Sequence, residues 1–285
     1  GKLTMATKVK KRSTTIGSNS GGKFANLEKR IVSVDEVPIY LKVCAYGRTG
    51  TGKTHLLGTF PKPLLVLDFR DRGTKTIRSR DDTKVIQVKS WDDVEELYWY
   101  LVENPRGYKS VGWDTTTQAQ DLVLSKIKGP RGGSTSRRVW GDVSELMKTW
   151  ILNYRDLEMN VCFTAQDRVS STDDEDIDDE GELIPEVGPY VIPSVAKILN
   201  AAVDIEGNTY IREVEKTVKN RKTKKTKTIY VPQYCMRIGP HSRFITKIRK
   251  DPEVDGDIPR LIIDPSYDKL LKISIGEELN EDGDE

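Results

Sequence analysis

Short apolar runs alternate with amphipathic stretches from about residue 36 to residue 206. Tyr40-Leu41-Lys42-Val43-Cys44-Ala45-Tyr46 is rich in strand formers. Pro63-Leu64-Leu65-Val66-Leu67-Asp68 is an apolar run ending in charge, as expected of a strand covered on both faces of a parallel sheet. Lys109–Asp114 and Asn160–Ala165 repeat that form. Between the runs the period changes. Ser90 stands as an N-cap before Asp92 and Asp93, and Val94, Leu97, Tyr98 and Leu101 then recur at helical spacing. Further helices are predicted over about 119–127 and 140–157, with a mobile loop over 128–138. Strands alternating with helices predict a parallel sheet with helices on both faces. Ligands of such sheets bind beyond the carboxyl ends of the strands.

From Ala202 the pattern turns to β. The stretches 204–218 and 228–237 are alternating and β-branched, and they flank Lys219-Asn220-Arg221-Lys222-Thr223-Lys224-Lys225-Thr226-Lys227. They predict a long hairpin with a cationic tip, suited either to gripping DNA or to keeping an edge strand from aggregating. Arg243–Lys250 alternates apolar and basic residues, so a strand there would carry Lys247 and Arg249 on one face. Residues 1 to about 30 (with Lys8, Lys10, Lys11 and Arg12) and the acidic tail from Glu277 lack large apolar residues and are expected to be disordered. The basic arm is read equally as a nucleic-acid contact or a solvated tail. Met5, after Gly-Lys-Leu-Thr, is read as the natural first residue. The expected organisation is a basic arm over 1–35, a core over 36–206, a β-rich part of the same domain over 207–274 and an acidic tail over 275–285.

Charged residues make up 32% and hydrophobic ones 36%, so segments outside the core are polar; the net charge of +2 hides an uneven distribution. Cys44, Cys162 and Cys235 are an odd number without metal spacing, and reduced, buried thiols are expected. No run approaches the ~20 apolar residues of a membrane span, and no signal peptide is visible. A cytoplasmic protein without a membrane partner is expected.

One stretch carries chemistry. Gly47-Arg48-Thr49-Gly50-Thr51-Gly52-Lys53-Thr54 fits G-x-x-x-x-G-K-[ST], lies after a predicted strand, and is followed by His55-Leu56-Leu57, which can begin a helix. Glycines let the backbone aim N–H groups at phosphate oxygens, and a helix N-terminus adds its dipole. Residues 47–55 are therefore assigned to a nucleoside triphosphate, with Lys53 reaching the β- and γ-phosphates and Thr54 holding Mg²⁺. Asp114, closing an apolar strand, suits the acid that holds Mg²⁺ through water, the alternative being a helix cap. Asp68 and Asp71 are candidates for polarising the attacking water. Gln166, just past a strand, is either a γ-phosphate sensor or a polar strand end without a task.

In this order the motifs resemble the RecA-type ATPases, most of all the small phage-encoded RecA-like proteins of single-strand annealing and recombination. The resemblance runs from about Leu41 to Ile273. It rests on the phosphate loop, Asp71-Arg72-Gly73-Thr74, Asp114, Ala165-Gln166, Lys247-Ile248-Arg249 and Asp264-Pro265-Ser266-Tyr267. The fold it implies is a RecA-type α/β P-loop core, a mostly parallel sheet flanked by helices, with a β-rich C-terminal extension. The activity it implies is ATP hydrolysis with Mg²⁺ at the interfaces of a homo-oligomer, ring or filament, on single-stranded DNA, with a single-strand-binding protein as a further partner. In the family the Lys-x-Arg pair reaches the neighbour's γ-phosphate, which assigns that task to Lys247 and Arg249. The loop after the magnesium-acid helix lines the DNA channel, which assigns DNA contact to Lys126, Lys128, Arg131, Arg137 and Arg138. The second channel loop is acidic here, Asp173–Glu180, and would repel phosphates. The family usually has Glu where Asp71 falls, so slow turnover is implied. Two other readings stay open: an ATP-driven motor or loader on DNA, and a nucleotide-gated DNA-binding protein with little turnover.

Overall fold

A computed structural model describes residues 24–70, 72–130, 132–170, 185–219, 226–250, 258–277 and 279. Residues up to Ile39 form one unit and Tyr40 onward another. The first holds α1 (Ala25–Glu28) and a 3₁₀ turn, Val34–Glu36, and buries no residue of either. Regular structure thus begins earlier than the composition of the arm suggests.

In the second unit the chain runs β1 (Lys42–Tyr46), α2 (Lys53–Leu57), β2 (Leu64–Asp68), a 3₁₀ turn (Gly73–Ile77), β3 (Thr83–Gln87), α3 (Trp91–Glu103), β4 (Ser110–Asp114) and α4 (Thr116–Lys128). It continues through α5 (Arg137–Arg155), β5 (Asn160–Ala165), β6 (Asp167–Ser170), β7 (Glu186–Pro189) and α6 (Pro193–Ala202). It closes with β8 (Ile205–Lys219), β9 (Thr226–Arg237), β10 (Lys247–Ile248), β11 (Leu261–Ile263) and α7 (Tyr267–Ser274). The main sheet has the order β11-β9-β8-β1-β5-β4-β2-β3, with β10 also on β8. From β3 to β8 every pairing is parallel, and β9, β10 and β11 join antiparallel. This is an α/β P-loop core extended by a β hairpin.

Strand periodicity sorts the core into two. Cys44, Leu65, Leu67, Val161 and Phe163 face the side covered by α3, α4, α5 and α6. Their neighbours Val43, Ala45, Leu64, Val66 and Cys162 face the other side, with α2 and α7. The three cysteines are free and buried.

Three expectations change. Arg137 and Arg138 are not loop residues: α5 begins at Arg137, because the Ser136 hydroxyl accepts the Val139 N–H at 3.4 Å and caps the helix. The helix α4 likewise begins at Thr116, ahead of the expected start, with Thr115 as its cap. Arg243–Lys250 does not form a continuous strand, since its first part bonds to Val187 and only Lys247–Ile248 pairs with β8. One strand carries no sequence signal: β3 takes the outer edge beside β2, where none of its residues is buried and little apolar pattern is required. The hairpin runs from Asn208–Arg237 to Lys219–Thr226; its tip, with Lys224 and Lys225, lies outside the described residues, as do the 173–180 segment and the acidic tail beyond Leu279.

Candidate nucleotide-binding site

The phosphate loop hangs on a fixed post. Tyr46, the last residue of β1, is buried and donates its hydroxyl to the carbonyls of Val187 at 3.0 Å and Ile245 at 2.7 Å. The Gly47 N–H is held by the Ala165 carbonyl at 3.2 Å. Thr51 Oγ1 donates to the Arg48 carbonyl at 2.8 Å and shares a hydrogen bond with Thr209 Oγ1 at 2.8 Å. Two glycines have specific causes. A Cβ on Gly47 would run into the Thr209 backbone and hydroxyl. Gly52, the N-cap of α2, has φ of 89°, and a Cβ there would lie 2.9 Å from Tyr234 Cδ1.

Lys53 is buried inside this loop. Its Nζ donates to the carbonyls of Gly47 at 2.7 Å and Arg48 at 2.8 Å. Thr54 Oγ1 donates to Asp114 Oδ2 at 2.9 Å, so the hydroxyl and the strand-end acid meet. Asp114 Oδ1 accepts Thr164 Oγ1 at 2.7 Å, which fixes the carboxylate from the β5 side. The strand order explains this junction: β5 lies between β1 and β4, and its end faces both the loop and the acid. A hard oxygen pair at the N-terminus of α2, beside a lysine and a row of backbone N–H groups, is a donor set that fits a nucleotide with Mg²⁺.

Asp68 is buried and stands in register with Asp114 on the neighbouring strand. Its carboxylate accepts Thr74 Oγ1 at 3.2 Å and the Arg72 N–H at 3.4 Å. Asp71 and Arg131 lie outside the described residues. Gln166 bridges two elements: its N–H donates to Thr117 Oγ1 at 3.0 Å, and its carbonyl accepts the Tyr190 N–H at 2.7 Å. Arg48, Thr49 and Gly50 are the exposed face of the loop, and His55 Nε2 meets Arg80 Nη2 at 3.1 Å.

The remaining cations divide. Lys126 pairs with Asp92 and Glu95 of α3, both at 2.8 Å, and Lys128 donates to Thr135 Oγ1 at 3.0 Å. Arg137 and Arg138 are exposed in the first turn of α5. Lys247 Nζ donates to the Asn200 carbonyl, and Arg249 Nη2 to the Ala201 carbonyl at 2.6 Å. Both cations therefore cover the C-terminal carbonyls of α6, where a helix dipole favours positive charge. Burial holds the Lys247 ammonium below the usual lysine range, and the Arg249 charge adds to that.

Several residues at the loop carry no sequence signal. Thr209 Oγ1 and Asn208 Nδ2 donate to the Tyr46 carbonyl at 3.2 and 3.5 Å. Arg237 Nη1 donates to Asn208 Oδ1 at 2.8 Å, and the guanidinium lies 3.5 Å from the Tyr210 ring centre and 4.4 Å from that of Phe244. Asn208 and Thr209 reach the loop because β8 pairs in parallel with β1, a pairing that no local pattern announces, and Arg237 stands behind Asn208.

The sheet order and the loop together define a P-loop nucleoside triphosphatase. The family profile of the AAA domain matches residues 39–250, and the chain belongs to that family. No curated protein matches it. Among the described residues no helix is long and apolar enough to cross a membrane.

Proposed function

We propose that this ATPase is a RecA-like phage recombination protein that assembles on single-stranded DNA and promotes annealing or strand pairing. ATP is hydrolysed where subunits meet. In this reading Lys53 turns from the Gly47 and Arg48 carbonyls to the β- and γ-phosphates, and Thr54 and Asp114 hold the metal. Mg²⁺, when bound, neutralises phosphate charge. Asp68, or Asp71 three residues further along the chain, orients the attacking water; Gln166 links the site to α4 through Thr117. Lys247 and Arg249 complete the neighbour's site, and a single-strand-binding protein is a further partner.

One observation carries the DNA assignment. Arg137 and Arg138 are exposed and occupy the N-terminal turn of α5, the end of a helix where positive charge is unfavourable. The fold gains nothing electrostatically from them there, whereas a phosphate backbone would. Binding of a labelled oligothymidylate should weaken with salt by about 0.7 log units per log unit of salt for each phosphate neutralised. Arg137→Ala/Arg138→Ala should flatten that slope by up to about 1.4 and should lower DNA-stimulated ATP hydrolysis. A double variant with the wild-type slope and wild-type stimulation would refute the assignment.

A further inference from the structure

Beyond the nucleotide site a cleft of about 730 Å³ opens between the 3₁₀ turn Gly73–Ile77 and the edge strand β3. Its floor reaches Asp68, and its walls carry Arg72, Lys75, Arg78, Lys84 and Gln87. Four cations and one carboxylate thus line it, and that carboxylate is already engaged by the Thr74 hydroxyl and the Arg72 N–H.

The cations are ordered by the backbone. A 3₁₀ helix has three residues per turn and eclipses side chains at i and i+3. Lys75 in the turn and Arg78 at its right-handed C-cap therefore fall in one row, about 6 Å apart at roughly 2 Å of rise per residue, and Arg72, the left-handed N-cap, lines the same cleft ahead of them. Lys84 stands on the facing wall. All four are exposed, and among the described residues none has an ion-pair partner. Asp81 and Asp82 lie in the turn before β3 and do not line the cleft. Protection of an edge strand from aggregation accounts for Lys84. It does not account for three cations on a turn outside the sheet, where their mutual repulsion opposes folding.

Unpaired cations spread along both walls of an open cleft match a chain of successive monoanions. They do not match one phosphorylated small molecule, which would need its cations converging in an enclosed pocket. No aromatic ring lines the cleft, so there is no platform for bases. We propose that the cleft between the 3₁₀ turn and β3 binds the phosphodiester backbone of one nucleic-acid strand, without regard to base. Thr74, within the same turn, ties the cleft to Asp68 at the end of β2, in register with Asp114 at the end of β4. This is a second backbone site, and it does not rest on the contact assigned to Arg137 and Arg138.

The test uses the full chain and fluorescein-labelled oligothymidylate and oligoadenylate, with anisotropy measured across a salt series. Lys75→Ala/Arg78→Ala/Lys84→Ala should flatten the salt slope by up to about 2 and weaken both oligonucleotides by the same factor. The charge-conserving Lys75→Arg/Arg78→Lys/Lys84→Arg should keep the wild-type slope. Affinity for a fluorescent ATP analogue should be unchanged in both, which reports an intact fold. A triple alanine variant with the wild-type slope overturns the proposal, as does loss of binding in the charge-conserving variant. A slope flattened only by Arg137→Ala/Arg138→Ala would remove the cleft and leave the loop assignment standing. Flattening only by the cleft variant would do the reverse, and a wild type that binds neither oligonucleotide would remove both.

Discussion

Glu206 sits in the middle of the sheet with nowhere to put a charge. It pairs in register with Cys44 on β1 and Lys247 on β10, and it is fully buried. Asn200 Nδ2 donates to Oε2 at 2.5 Å, while Oε1 has no hydrogen-bond partner among the described residues. The nearby Lys247 directs its ammonium to the carbonyls of Asn200 and Ala201. Burial pushes the Glu206 carboxyl up to about 7, against the opposing pull of the Asn200 hydrogen bond and the Lys247 charge, with Glu186 adding to the rise. The folded-state value lies above the unfolded one, so the folded chain holds the extra proton. The stability this supports is full below pH ~4.5 and is lost as pH rises through about 7. That displacement is worth on the order of 3 kcal/mol at about 1.4 kcal/mol per pH unit. Glu206→Gln keeps the shape and an acceptor for Asn200 but cannot ionise. Urea unfolding followed by tryptophan fluorescence should show the variant gaining on wild type from about pH 5 to 8, ending about 3 kcal/mol ahead. His241, held low by burial and surrounding arginines, acts with the opposite sign, but it is common to both proteins and cancels in the difference. A difference between the two proteins that stays constant across this range would show that Glu206 does not bury its proton.

Two further outcomes concern the nucleotide site. Asp114→Asn keeps one acceptor oxygen, for either the Thr54 or the Thr164 hydroxyl, and loses the charge, so the Mg²⁺ dependence of binding a fluorescent ATP analogue should weaken by about 10–100-fold; unchanged dependence would leave Asp114 as a structural partner of Thr54. If Arg249 acts on the neighbouring subunit, mixing Lys53→Ala with Arg249→Ala subunits should restore junctions with both halves intact and recover part of the activity. If it only covers the end of α6, mixing should recover nothing, and Arg249→Ala should lower stability by about 0.3–1 kcal/mol.

The legible parts of this protein are those whose causes lie within a few residues. The loop 47–54 needs glycines at set places, a strand before and a helix after, and all three are local. The Asp114 position is legible for the same reason, since an apolar run ending in an acid is a strand end whatever lies beside it. What the acid meets was not legible. The contacts from Thr54 and Thr164 depend on β5 being inserted between β1 and β4, and strand order is a property of the whole chain. The same holds for Asn208 and Thr209, which reach the Tyr46 carbonyl across more than 150 residues, and for Tyr234 beside Gly52.

Lys247 and Arg249 show where the two kinds of information meet. Strand alternation places both on one face, and both do turn to the end of α6, sharing the Ala201 carbonyl. That face looked unoccupied from the sequence because α6 has only Pro193 as an obvious start and was not predicted. With α6 in place, each cation has intrachain work, and any service to a neighbouring γ-phosphate must give up a hydrogen bond to a helix carbonyl. The exchange is close to even for Arg249, which is half exposed and keeps its second contact, Asp204, at 3.3 Å. It is less even for Lys247, whose ammonium is more deeply placed and stands beside the buried Glu206. Of the two, Arg249 is therefore the side chain free enough to serve a second subunit, and Lys247 the one that holds α6 to the sheet.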